Sequence, residues 1–268
     1  DLGTRHFFRR LAGQGHLVLD LAYSLWPRAT IATMVAEVNQ AVLWLKENGA
    51  AYGVDPARVV LMGGSAGGHL ALLAAYAPDH PAFRPSAAAG DTGVCGVVAF
   101  YPPVDLLELY TQAREQAEAA AGPLASVAEA MMDRLFRADA GDHRTGECEG
   151  EGRREGQPGK FRDMLPEMLG GEPDEVPETY RLLSPIFHAG PHCPPTLLLQ
   201  GSDDLFGLAP GVRRLHHDLQ AADVPAILVE FPHVEHGFDL LFPQVSPVAR
   251  TAARAVERFL ALLGSRPS

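Results

Sequence analysis

The sequence predicts an α/β protein with a mostly parallel sheet flanked by helices. Three observations carry that expectation. Short apolar runs alternate with longer stretches of helical periodicity, as in a strand–helix–strand chain. Several runs are continuously apolar rather than alternating, as strands buried on both faces are. The best-marked junction, Leu61-Met62-Gly63-Gly64-Ser65-Ala66-Gly67-Gly68-His69-Leu70, sets a glycine-flanked serine between a strand-like and a helix-like stretch.

The elements follow in order. Phe7, Phe8 and Leu11 stand at helical spacing within residues 4–12. Gly13-Gln14-Gly15 is turn-like, and the run from His16 to Tyr23 after it predicts a buried parallel strand. Thr30 is placed to cap a helix reaching Asn48, with Ile31, Met34, Val35, Val38, Val42 and Leu45 on its apolar face and Gly49 as its stop. Arg58–Met62 is a strand, and Ala71–Tyr76 continues a helix. Val94–Phe100 is a second buried strand, running into Tyr101-Pro102-Pro103-Val104-Asp105-Leu106.

Between 106 and 185 the alternation stops. Leu124, Val127, Met131 and Leu135 mark one amphipathic helix, and residues 138–160 are nearly all polar or glycine, the composition of a flexible loop. The expected organisation is a core formed by 1–105 and 186–268, with 106–185 inserted as a lid over the site. Alternation resumes at Pro195–Gln200, followed by Gly201-Ser202-Asp203-Asp204. A helix over about 209–222, a strand at Ala226–Phe231, the run Pro232-His233-Val234-Glu235-His236-Gly237-Phe238 and a final helix opened by Ser246-Pro247 complete the chain. The last helix carries Val248, Ala252, Val256, Phe259 and Leu263 on one face.

Composition narrows the function classes. The chain has 268 residues, 47% of them hydrophobic, enough for one large domain with a sizeable core. A net charge of −11 without clustered Lys and Arg argues against nucleic acid as a partner. No run approaches a membrane span. Cys95, Cys148 and Cys193 are odd in number and lack metal spacing, so free thiols are expected, with no metal and no dissociable cofactor. The chain opens at Asp1 without a methionine, which predicts that it begins inside a domain.

The serine junction carries chemistry. A serine on a tight strand-to-helix turn takes a strained backbone, and its glycine neighbours, Gly63 and Gly67, let the turn close. The hydroxyl then stands above the sheet edge at a helix N-terminus, where the N–H of Ala66 can face a developing oxyanion. A phosphate loop would need Gly-Lys-Ser/Thr, and a dinucleotide fingerprint Gly-x-Gly-x-x-Gly; neither spacing is present. In a parallel sheet, sites gather at the C-terminal strand ends. Ser65, Asp204 and His236 each follow a strand, so they are expected on one edge, where a base and a carboxylate can activate a serine. Asp203 and His233 stand beside them as alternatives. His69 is expected behind the serine as a structural residue, His216 and His217 on a solvent-facing helix, and Asp20 and Asp105 in structural roles.

The order Ser65, Asp204, His236, together with Gly-Gly-Ser-Ala-Gly-Gly-His-Leu-Ala, Tyr-Pro-Pro-Val-Asp-Leu, Pro-Pro-Thr-Leu-Leu-Leu-Gln-Gly-Ser-Asp-Asp and His-Gly-Phe, resembles the α/β-hydrolase superfamily, and within it the esterase/lipase group related to hormone-sensitive lipase. Ala22-Tyr23-Ser24-Leu25-Trp26-Pro27 is similar in weaker form. The resemblance implies an α/β-hydrolase fold, with Ser65 as nucleophile, His236 as general base and acid, and Asp204 orienting the imidazole. The group's Gly-x-x-Asp spacing from Gly201 favours Asp204 over Asp203, and His-Gly-Phe favours His236 over His233. It implies a small-molecule ester substrate of small or medium acyl size, cleaved through an acyl-enzyme. The pocket is expected to involve Gly64, Met131 and Leu135. The group's oxyanion loop and first strands would lie upstream, so the chain reads as lacking them. Gly64, where many lipase-like members are acidic, leans toward small-ester and formamide-hydrolysing branches. An arylformamidase, a peptidase of the same fold, and a ligand-binding homologue without turnover are the alternatives.

Overall fold

A computed structural model of the protein describes residues 4–85, 90–119, 161–240 and 242–264. Four strands form one parallel sheet: β1 (Val60–Gly64), β2 (Gly96–Phe100), β3 (Thr196–Gly201) and β4 (Ala226–Phe231), in the spatial order β1-β2-β3-β4. The helices are α1 (Thr4–Gly13), α2 (Ile31–Asn48), α3 (Ala66–Tyr76), α4 (Leu106–Ala119), α5 (Phe161–Leu169), α6 (Pro177–Leu182), α7 (Ala209–Ala221) and α8 (Pro247–Gly264).

Side chains alternate across a strand, and here both faces are covered. Val97, Ala99 and Leu198 pack beneath α3 and α7, against Leu72, Tyr76, Val212 and Leu215. Val98, Phe100, Leu197 and Leu199 face the other way, against Ala252, Val256 and Phe259 of α8, with Phe7 of α1 at the margin. Arg10 of α1 forms an ion pair with Glu257 of α8. A third cluster joins α2 to the outer side of α3 and to α4, α5 and α6. That is why α3 is apolar nearly all round: every residue from Gly68 to Tyr76 is buried.

Helix α2 starts as its sequence predicts, with the Thr30 hydroxyl accepting from the Thr33 N–H. Its end differs. Gly49 is right-handed (φ −62°), the chain runs on as a 3-10 turn to Tyr52, and the left-handed residue is Gly53 (φ +73°). Gly49 is small for a packing reason: a Cβ there would lie 2.9 Å from Val54 Cβ.

One expected element is absent. His16–Tyr23 forms no strand, and Leu17, Leu19 and Leu21 are exposed. An apolar run becomes a strand only where a neighbour completes its hydrogen-bond ladder. Each of the four described strands pairs only with others of the four, and this stretch joins none of them. The expected lid helix with Leu124, Val127, Met131 and Leu135, the loop 138–160 and Cys148 lie outside the described residues. Within 106–185 the described elements are α4, α5, α6 and a short turn at its end, with no strand. No helix among the described residues is long and apolar enough to cross a membrane.

Candidate active site

The site is built on the C-terminal edge of the sheet, where β1, β2, β3 and β4 each release a loop. Ser65 sits between β1 and α3 at φ 53°, ψ −121°, a backbone that a side-chain-bearing residue holds only when its surroundings fix it. Its N–H donates to the Phe100 carbonyl at 2.9 Å and its carbonyl accepts from the His69 N–H at 3.0 Å, so the turn is tied to β2 and to the first turn of α3. Gly63 is required there, since a Cβ would lie 2.3 Å from the Gly67 carbonyl group. Gly67 differs from expectation. A Cβ on it would meet nothing within 4 Å, so its backbone, rather than its missing side chain, makes the close approach.

The loops after β3 and β4 are laced together. Ser202 N–H donates to Phe231 O at 2.9 Å, and Asp203 N–H to Val234 O at 3.1 Å. A Cβ on Gly201 would stand 2.2 Å from Val234 O, so only glycine lets these chains approach so closely. The Leu205 N–H donates to Glu235 at 3.0 Å. This lacing fixes Asp204 and His236 relative to each other across 32 residues of sequence.

The result is a continuous hydrogen-bonded line. Ser65 Oγ lies 2.9 Å from His236 Nε2, and His236 Nδ1 lies 2.9 Å from Asp204 Oδ2. A carboxylate only accepts, so Nδ1 donates to Asp204 and the Nε2 lone pair is left facing the serine hydroxyl. Asp204 is further satisfied by the Phe206 N–H on Oδ1 and by Gln200 Nε2 on Oδ2, both at 2.9 Å. The imidazole packs at a tilt against the Tyr101 ring (centroids 4.4 Å apart) and edge-to-face with the Phe206 ring (4.7 Å). Ala66 is the first residue of α3, so its N–H is one of the first-turn donors that have no acceptor within the helix.

The structure thus brings Ser65, His236, Asp204 and the Ala66 N–H together. Gly64 is adjacent, but its missing side chain is occupied by neighbouring atoms: a Cβ there would lie 3.1 Å from the Tyr101 hydroxyl. Met131 and Leu135 lie outside the described residues. Asp203 and His233 pair with each other at 3.2 Å on the surface, away from the serine line. His69 is buried behind the serine, its Nδ1 bonded to Pro103 O at 2.8 Å, and burial pulls its pKa down to about 4. Asp105 caps α4 through the Leu107 and Glu108 N–H groups, and Asp20 is exposed. His217 faces solvent, whereas His216 is half-buried with Nε2 3.3 Å from Ala226 O, a departure from the expected solvent-facing pair.

Three residues escaped the sequence reading. Gln200 is the penultimate residue of β3 and reads as a strand interior. Tyr101 directly follows β2, and Asp239 follows His-Gly-Phe. For Tyr101 and Asp239 the signal was position, one residue beyond a strand end and three beyond the histidine, rather than a motif. The sequence reading found no His-x-x-x-His spacing, yet His188 and His192, four apart, have it. They flank a turn rather than share a helix face, and their Nε2 atoms rest against Leu182 O at 2.7 Å and Tyr76 O at 2.9 Å. Among the described residues no group of three or more His, Cys, Asp or Glu could hold a metal ion.

A parallel sheet covered on both faces, with a serine turn and an acid–histidine pair on one edge, is the α/β-hydrolase fold. The BD-FAE family model matches residues 2–135, half of the chain, and the chain belongs to that family. It is 29% identical over 252 residues to the probable carboxylic ester hydrolase LipM of Mycobacterium tuberculosis, covering 94% of this chain and 48% of that protein. It is 28% identical to esterase LipQ of the same organism, covering 96% of this chain and 50% of that protein. The chain therefore spans about half the length of the curated relatives it matches. Among solved structures, Thermogutta terrifontis esterase 2 superposes with a TM-score of 0.67 at 22% identity, over 99% of this chain and 79% of that one, a likeness of fold.

Proposed function

We propose that this chain carries the catalytic machinery of a serine carboxylic ester hydrolase, with Ser65 as nucleophile, His236 as general base and acid, and Asp204 as the carboxylate that orients the imidazole. The single observation behind the proposal is the unbroken Ser65–His236–Asp204 hydrogen-bonded line at the sheet edge. The printed names of the mycobacterial relatives favour ester substrates.

The geometry supports each step. Ser65 Oγ attacks the acyl carbon and gives its proton to His236 Nε2. The imidazolium that forms is stabilised by Asp204, which also accepts from Gln200 and from the Phe206 N–H. The carbonyl oxygen becomes an oxyanion, and the Ala66 N–H is placed to receive it. His236 then returns the proton to the departing alkoxide, leaving an acyl ester on Ser65. Water, deprotonated by His236, reverses the sequence and releases the acid. Hydrolysis of p-nitrophenyl acetate and butyrate tests the reading. Ser65→Ala is expected to lower kcat/KM by at least about a thousandfold with the fold intact. Hydrolysis by the variant at the parental rate would overturn it.

A further inference from the structure

The imidazole of His236 is addressed from two directions. Asp204 meets it in its plane, at Nδ1. Tyr101 packs against the ring at a tilt, with ring centroids 4.4 Å apart and planes at 54°. The Tyr101 hydroxyl donates in turn to Asp239 Oδ1 at 2.5 Å. Nothing in the serine mechanism requires this second carboxylate, yet the fold goes to some length to keep it. Tyr101 has φ 39°, a left-handed backbone that tyrosine rarely adopts, while its N–H still donates to Leu199 O at 2.7 Å. That turn of the backbone aims the ring back over the histidine. Tyr101 is buried, and Phe238 packs edge-on against it at 5.3 Å. Gly64 leaves room for its hydroxyl, since a Cβ would crowd it at 3.1 Å.

We propose that Tyr101 and Asp239 form a positioning pair that holds the imidazole of His236 in register and stabilises its protonated form from the ring face. This rests on the reading of His236 as the base. A phenol that donates to a carboxylate has an electron-rich ring, and such a face attracts a cation lying over it. The Asp239 carboxylate, half-buried beside the ring, adds its own field. The pair therefore favours the imidazolium, the state that His236 passes through in both half-reactions. Asp204 supplies the tautomer and the hydrogen bond; the Tyr101–Asp239 pair supplies a second negative centre outside the imidazole plane.

Other charged groups lie near the pair. Burial pushes the Asp239 carboxyl up from its ordinary range, and the Tyr101 hydrogen bond pulls it back. The same burial, with the negative charge of Asp239, pushes the Tyr101 phenol well up, so it stays a donor. Behind Asp239 lies a small cavity between α1 and α8, to which His6, Arg10 and Arg250 contribute. Arg10 is engaged by Glu257. On the side of the histidine, Asp204 is engaged by His236, Gln200 and Phe206, and Glu235 by Leu205. Asp203 and His233 pair with each other at the surface.

The test compares Tyr101→Phe, Asp239→Asn and the double variant by two readouts: the pH profile of kcat/KM on p-nitrophenyl acetate, and the titration of the His236 imidazole followed by nuclear magnetic resonance. Removing a nearby negative charge makes protonation harder. In Asp239→Asn both the acid limb of the profile and the His236 titration should move to lower pH by up to about one unit, and plateau kcat/KM should fall by about tenfold. Tyr101→Phe keeps the tilted ring beside the imidazole but strands the carboxylate, which should then take up a proton. Its effect should run in the same direction, and the double variant should add little to either single change. The proposal is overturned if the variants lose activity while the profile and the titration stay in place, the pattern of a packing role alone. It is overturned equally if the two changes simply add. Should Asp239→Asn fail to fold, Tyr101→Phe gives the same two readouts by itself. The titration needs no turnover, so a protein that binds but does not hydrolyse esters would defeat the catalytic reading and still decide this one.

Discussion

Asp204 with His236, and Asp203 with His233, are the same two residue types in neighbouring positions of the same two loops, yet their surroundings are opposite. The side chains of Asp204 and His236 are 0% and 3% exposed; those of Asp203 and His233 are 51% and 92% exposed. In the first pair each polar atom has a defined partner, and the far nitrogen of the imidazole reaches Ser65. In the second, Asp203 is held below its ordinary carboxyl range by the Ser202 hydroxyl first and His233 second, and the imidazole faces water. A carboxylate beside a histidine is therefore not enough to aim it at a serine. Burial raises the strength of the contact, and lacing of the loops directs it at Ser65. Two residues, Val234 and Glu235, separate the two histidines, and His233, at φ 57°, turns outward.

The largest expected effect breaks the inner pair. Asp204→Asn should lower kcat/KM by about three to four orders of magnitude, because an amide can also donate and no longer fixes Nδ1–H as the donor. Asp203→Asn in the same assay should stay within about twofold, as a surface change away from the site. A smaller effect sharpens the contrast. Gln200 donates to the same Asp204 oxygen that His236 contacts, while its own Oε1 is buried without a partner. Gln200→Leu removes both, so stability should change little while kcat/KM falls by about tenfold, as expected for a donor supporting a catalytic ligand. An equal loss of stability and activity would make Gln200 a packing residue.

His69 completes the series: it is buried like His236 but has no carboxylate. Burial lowers its pKa from 6.5 to about 4, with the Pro103 carbonyl opposing. It is neutral in the folded chain and protonates more readily when unfolded. Its contribution to stability is thus full above the unfolded value and lost as pH falls from about 6.5 toward 4, amounting to about 3 kcal/mol. Urea unfolding between pH 7 and 4.5 should show a shallower loss in His69→Asn than in the parent. An unchanged slope would contradict the assignment.

The sequence made some parts of this arrangement readable and hid others, for physical reasons. The serine turn was readable because its requirement is local: Gly63 must lack a side chain four residues from Gly67, and that constraint is written in consecutive letters. Asp204 and His236 were separable from Asp203 and His233 only through the spacing of a resembling family, since burial is a property of the assembled loops. Tyr101 and Asp239 were invisible because they meet from distant parts of the chain, and Gln200 because it reads as an ordinary strand residue although it bonds Asp204 just beyond the strand. The strand expected at His16–Tyr23 failed for the complementary reason. Apolar patterning marks what can be buried, but a strand also needs a hydrogen-bonding neighbour, which patterning does not report.

The most direct measurement is fluorophosphonate labelling, with the modified residue located by mass spectrometry, in the parent, His236→Ala and His233→Ala. A serine reacts at useful rates only when a base takes its proton. The account predicts labelling at Ser65 in the parent and in His233→Ala, and its loss in His236→Ala. Labelling that persists in His236→Ala, or that falls on another residue, would contradict it.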